Sequence, residues 1–317
     1  MADLPVFQPL HPDVVDRLDP EYVAFHKANL LHVTPTHQRT WDPSIRNTPT
    51  VPGSSPPLKV GSVKDIDLKH CKARVFTPEG NAPEGGWPVM IYFHGGGWTL
   101  GNIDSENSIS TQLCKGASCV VVHVDYRLAP EIPYPAAVDD AVDALERVYT
   151  RGSAELGVDV HKIAVGGSSS GGNLAAILAH KAHLLTPPIP LVFQLLIVPV
   201  TDNTADTSGT PYPSWKENEN TVWLSPERML WFRNNYLPNK EDWAKWDSSP
   251  LFAPDDWFKK VPPACILGTE LDILRDEGVA YGEKLKEAGV EVDVIIYKGA
   301  PHQTMAMDAV GKAFGTL

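Results

Sequence analysis

Three adjacent serines sit in the segment KIAVGGSSSGGNLAAILAH, Lys162 to His180, and only the middle one, Ser169, has glycine at both −2 (Gly167) and +2 (Gly171). This G-x-S-x-G string lies between an apolar run, Ile163-Ala164-Val165, and an Ala/Leu-rich stretch of helical character. A strand–turn–helix junction of this kind is so tight that only glycine fits beside the serine. It lifts the hydroxyl clear of the backbone at a helix N-terminus, where it can serve as a nucleophile. The plainer alternatives are a Ser/Gly-rich loop closing a strand or a phosphate cradle; no G-K-[ST] follows, so a P-loop is excluded. A second glycine run, His94-Gly95-Gly96-Gly97-Trp98, comes directly after an apolar run ending at Phe93. Glycines there free backbone N–H groups to point at a developing oxyanion. Together the two runs suit nucleophilic attack on a carbonyl.

Positioning such groups needs a rigid frame. From about residue 60, short β-rich runs alternate with segments of helix length, the pattern of a mostly parallel sheet covered by helices. Near-continuous apolar runs predict buried strands at Val89–Phe93, Val120–Val124, Ile163–Val165, Val192–Val198, Ala264–Leu267 and Val292–Tyr297. Val138, Ala141, Val142, Leu145 and Val148 share one helical face, and a further helix is expected from about Arg275 to Ala288, stopping at Gly289. Before residue 60 the chain is rich in Pro, His and Asp, which predicts an N-terminal cap over 1–60 with one or two helices and then a meandering linker. Residues 202–258 break the alternation. They hold Trp215, Trp223, Trp231, Trp243, Trp246 and Trp257, six of the nine tryptophans. That much aromatic area must pack against something: either as a lid over a ligand site, the preferred reading, or as staples fixing a loop-rich insertion to the core.

The order HGGGW, then Asp125-Tyr126-Arg127-Leu128-Ala129-Pro130-Glu131 with Tyr134-Pro135-Ala136-Ala137, then GxSxGG resembles the hormone-sensitive-lipase-like family of α/β-hydrolases over roughly residues 60–305. The resemblance implies an α/β-hydrolase fold over 61–317, capped by the N-terminal segment and by 202–258. It further implies a carboxylesterase acting on small or medium hydrophobic esters, with no cofactor and no metal. The acid and the histidine must follow the serine in that order. Asp272 in GTELDILRDEG matches the family's aspartate, against Glu270, Asp276 and Glu277 as rivals, and His302 in KGAPHQ matches its histidine. The implied roles are Ser169 as nucleophile, His302 as base, Asp272 as the group orienting it, and N–H groups of Gly95, Gly96, Gly97 and Ser170 as oxyanion donors, with Gly96 and Gly97 preferred in the glycine run. Nine of the eleven histidines then read as structural or surface residues. Three positions depart from the family: Ser168 and Ser170 stand where GDSAGG has Asp and Ala, and Gln303 replaces a glycine. These changes bear on substrate range more than on competence, and the extra hydroxyls read most simply as small polar fillers.

Composition narrows the rest. With 27 basic and 39 acidic residues, net charge −12, the chain lacks the cationic footprint of a nucleic-acid or anionic-membrane binder. No apolar run is long enough to span a bilayer, and no secretory leader is read, so a cytoplasmic location is expected. Cys71, Cys114, Cys119 and Cys265 have neither metal-ligand nor disulfide-scaffold spacing. The expected partner is a small-molecule ester, and a homodimer is among the expected oligomeric states. The alternatives are a lactonase or deacetylase, a dehydratase or cyclase using the same triad, and a small-molecule receptor. Nothing in the sequence offers a cationic clamp for a charged substrate.

Overall fold

The computed structural model describes residues 4–48, 55–302 and 304, so Gln303 lies outside the described residues. Eight strands form one sheet: β1 Ser62–Asp67, β2 Lys72–Thr77, β3 Trp87–Phe93, β4 Val120–Asp125, β5 Val158–Ser168, β6 Phe193–Ile197, β7 Ala264–Leu271 and β8 Val292–Pro301. Their order is β1-β2-β4-β3-β5-β6-β7-β8. From β4 through β8 every neighbouring pair is parallel, whereas β1 and β2 run antiparallel to each other and β2 to β4. The six anticipated strands are the parallel ones. Their apolar runs are buried because helices cover both faces of a parallel sheet; Val89, Ile91, Val120, Val122, Ile163 and Val165 are all within 1% of complete burial. The β1–β2 hairpin was not anticipated. β1 is a charged, mostly exposed edge strand, the composition that discourages pairing with another chain and also erases the apolar signal.

The described helices are α1 Pro12–Val15, α2 Pro20–Asn29, α3 Asn107–Gly116, α4 Ala136–Leu156, α5 Ser170–Ala182, α6 Ser214–Glu217, α7 Pro226–Tyr236, α8 Asp255–Phe258 and α9 Arg275–Glu287. The expected apolar face of α4 is buried through Val138, Ala141, Leu145 and Val148. The second expected helix is α9, which ends just before Gly289 in the left-handed conformation, φ 80°.

Before the sheet, α1 and α2 are followed by single-turn 3-10 segments at Thr36–Gln38 and Pro43–Asn47. Val14, Leu18 and Tyr22 pack against Val222 and Leu271, and the Asp19 N–H donates to the Gly299 carbonyl at 2.9 Å. The N-terminal residues thus touch both the insertion and the end of β8. Within the insertion, Trp215 is 2% exposed, and Trp246 and Trp257 meet edge-on at 5.0 Å. Trp243 lies under the Arg233 guanidinium at 3.6 Å. Most of these rings fix the insertion to the body, and the stretch from Trp223 to Phe232 alone reaches the cavity described next.

Candidate active site

Ser169 is the single residue between β5 and α5, and its backbone sits at φ 53°, ψ −115°, a conformation that a non-glycine residue occupies only under strain. Its neighbours permit the turn. A side chain on Gly167 would run into the Gly171 backbone, and one on Gly171 would run into the Phe93 carbonyl. The strand-to-helix turn therefore needs glycine at both positions, as the motif requires.

The serine hydroxyl lies 2.8 Å from Nε2 of His302, and Nδ1 of that ring lies 2.7 Å from Oδ2 of Asp272. The three residues are 6%, 1% and 1% exposed. Asp272 follows directly on β7 and His302 directly on β8, so parallel strands deliver both to the same end of the sheet as the serine. The second carboxylate oxygen of Asp272 accepts the N–H of Leu274 at 3.0 Å, which fixes the carboxylate plane. The rival acids are engaged elsewhere. Glu270 accepts the N–H of Gly299, Asp276 that of Ser214, and buried Glu277 holds the backbone of Thr201 and the indole N–H of Trp215.

The glycine run crosses the same end of the sheet. Gly96 and Gly97 have φ of 121° and 60°, and a side chain on Gly97 would strike the Phe232 ring. The N–H groups of Gly96, Gly97 and Ser170 make no hydrogen bond among the described residues. Gly95 differs from the expectation that grouped it with them. Its N–H donates to Oε1 of Glu106 at 3.0 Å, so it is already occupied and drops out as an oxyanion donor.

Glu106 went unread in the sequence. It also accepts the Ser168 hydroxyl at 2.7 Å and the Tyr92 hydroxyl at 2.8 Å. Burial pushes its carboxyl above the usual carboxylate range, opposed by those three donors. Ser168 is thus more than a filler, since it joins the nucleophile's strand to the carboxyl that holds the oxyanion loop. Ser170 lies 3.3 Å from the Tyr126 hydroxyl, which in turn donates to the His94 carbonyl at 2.8 Å. His94 stacks on Tyr126 at 4.5 Å, and burial lowers its pKa to about 4, leaving a neutral ring that props the loop. Arg46 adds a clamp from the N-terminal segment, donating to the carbonyls of Thr99 and Ala129, both at 2.8 Å, and to Glu131 at 2.5 Å. No signal in the sequence pointed to Glu106 or Arg46, because the contacts that tie each to the site, Ser168 for Glu106 and Thr99 and Ala129 for Arg46, come from distant parts of the chain.

Ser169, His302, Gly96 and Gly97 open onto a narrow cavity of about 20 Å³ walled by Leu100, Val200, Leu224, Met229 and Phe232. Trp223 and Arg228 complete the wall. Arg228 thus places a guanidinium in the wall of a site for which the sequence offered no cationic clamp. A more spacious hollow of about 720 Å³, between Asp67 and Arg147, contains none of these residues and is an open surface feature.

This sheet order with a strained serine after the central β5 defines an α/β-hydrolase. A family model described as alpha/beta hydrolase fold matches residues 90–306. AB hydrolase superfamily protein C1039.03 of Schizosaccharomyces pombe is 49% identical over 314 residues, 95% of this chain and 91% of that one. Carboxylesterase NlhH of Mycobacterium tuberculosis is 39% identical over 253 residues, 79% of this chain and 76% of that one. Among solved structures, a thermostable esterase from Pseudomonas putida ECU1011 superposes with a TM-score of 0.81 at 33% identity, covering 92% of this chain and 90% of that one. The chain belongs to the hormone-sensitive-lipase-like family of α/β-hydrolases.

Proposed function

We propose that the protein is a serine carboxylesterase that hydrolyses small to medium, largely apolar carboxylic esters through an acyl-enzyme. The observation that carries this reading is the unbroken hydrogen-bonded line from Ser169 through His302 to Asp272. With Nδ1–H donated to Asp272, Nε2 of His302 is the acceptor for the serine proton. Ser169 Oγ bonds to the ester carbonyl carbon as its proton passes to His302. The imidazolium, stabilised by Asp272, then protonates the departing alkoxide. Water attacks the acyl-enzyme by the same route in reverse, giving the acid and restoring the serine. The negative charge on the tetrahedral oxygen is received by the N–H groups of Gly96, Gly97 and Ser170, each such donor contributing about 3 kcal/mol in a water-poor site.

The apolar wall and the narrow cavity favour short acyl groups. An intact base beside the serine argues against the receptor reading, in which the ring would have no proton to move. No helix among the described residues is long and apolar enough to cross a membrane. The cytoplasm remains our proposed location, and a monomer or homodimer the proposed state.

Hydrolysis of a p-nitrophenyl ester series from acetate to octanoate tests the reading. Turnover should peak at the short end and fall by about 10³-fold or more in Ser169→Ala. Undiminished turnover in that variant would refute it.

A further inference from the structure

Arg228 stands on α7 in the wall of the catalytic cavity and is 8% exposed. Its guanidinium makes one hydrogen bond among the described residues, from Nη1 to the Trp223 carbonyl at 2.9 Å. Nε is buried with no partner. The cation lies over Trp223 at 5.1 Å and Phe232 at 5.6 Å, and no described carboxylate pairs with it. Glu227, the next residue along the helix, faces Nε2 of His37 at 3.5 Å instead and is 75% exposed. The other titratable groups within electrostatic reach are Tyr22 and His37, both from the N-terminal segment. The Tyr22 hydroxyl and Nδ1 of His37 are buried without hydrogen-bond partners, whereas Nε2 of His37 meets Glu227.

A guanidinium taken out of water without a counter-charge is unfavourable, and burial, only partly opposed by Tyr22, draws the Arg228 pKa down to about 10. The Trp223 and Phe232 rings relieve part of that cost, but with Nη1 on the Trp223 carbonyl they leave Nε and Nη2 without an acceptor among the described residues. Planar paired donors match a carboxylate better than any other small anion a compact ester commonly carries. Apart from Ser169 and His302, the rest of the wall is mostly apolar, through Leu100, Val200, Leu224, Met229 and Phe232, and suits the remainder of such a molecule.

We infer that the physiological substrate is an ester bearing a free carboxylate, which Arg228 binds while Ser169 attacks the ester carbonyl. The inference rests on the ester-hydrolase reading above. The carboxylate can belong to the acyl part, as in a monoester of a dicarboxylic acid, or to the alcohol part, as in an ester of a hydroxy acid.

Two isosteric pairs followed by pH-stat distinguish these sources: monoethyl succinate against ethyl 4-methylpentanoate, and 3-(butyryloxy)propanoate against 3-methylbutyl butyrate. The charged member of one pair should exceed its neutral partner in kcat/KM by at least about tenfold. Arg228→Met should lower that charged-to-neutral ratio by about 30-fold or more, whatever it does to either rate alone. A wild-type protein with no preference for either charged ester would overturn the inference without recourse to any variant. So would an Arg228→Met protein that loses both rates in equal proportion, since a merely structural arginine behaves that way. Turnover of p-nitrophenyl butyrate separates the two readings: serine-dependent activity there without charge preference removes only the carboxylate, whereas none at all removes ester hydrolysis with it.

Discussion

Asp272 lies within seven residues of Glu270, Asp276 and Glu277, yet its carboxylate alone meets the His302 ring, at 2.7 Å. Asp272→Asn presents an amide to Nδ1, favours the wrong tautomer and should lower kcat on p-nitrophenyl acetate by about 10³–10⁴. Asp276→Asn should keep most activity, and equal losses would unseat the assignment. Glu106 invites a different comparison. Burial raises its carboxyl above the usual carboxylate range, and it receives three donors. Glu106→Gln retains a carbonyl oxygen for Gly95 and should cost little, whereas Glu106→Leu strands three buried donors and should lower kcat at least tenfold with little change in KM. Ser169 was legible because its glycines are a steric requirement of the turn. His302 stood out as the histidine after the final strand and by family likeness, whereas Asp272 was singled out among four acids by family likeness. Glu106 was not, since its contact with Gly95 depends on its own backbone at φ 54°, which no local pattern announces. Arg228 was equally silent, because a helical arginine looks solvent-facing until its surroundings are known.

The loop after β3 behaves as a small element whose shape is set from outside. Trp98 stacks on Tyr236 of α7 at 4.4 Å, Phe232 of the same helix closes over Gly97, and Arg46 grips the carbonyls of Thr99 and Ala129. The helix that walls the cavity and the loop proposed to supply oxyanion donors are therefore one packed unit. Arg46→Lys replaces a fork by a single ammonium and cannot serve both carbonyls and Glu131 with the same geometry. Urea unfolding should show a loss of about 1–2 kcal/mol, and thermal inactivation should set in at a lower temperature. At this scale the sequence was most informative for elements buried on both faces, whose apolar runs have no other use. It was least informative where an element is half in solvent: the β1–β2 hairpin alternates charge with bulk. The insertion announced only its aromatic content, leaving open which rings would reach the site; Trp223 and Phe232 are the ones in the cavity wall.

Across the whole molecule, several histidines are buried as neutral rings. His180 rests among Phe258, Trp246 and Tyr281, and burial lowers its pKa to about 3. Above pH 6.5 it is uncharged whether the chain is folded or not. Below that, the unfolded chain takes up a proton that the folded chain refuses until about pH 3, so stability falls as the pH drops through this window. His180→Gln should flatten the dependence of urea-unfolding stability on pH between 6.5 and 5 by about one proton, and an unchanged slope would show that the ring is not held neutral. The sheet order carries a different consequence. The serine comes from a central strand, whereas the histidine is delivered by β8, the last strand on its edge, with β6 and β7 between. An assembly that stopped at β7 would hold a strained serine and an aspartate with no base to join them. Chemical competence is therefore a readout of a finished sheet, and a chain caught partway through assembly carries its nucleophile unarmed.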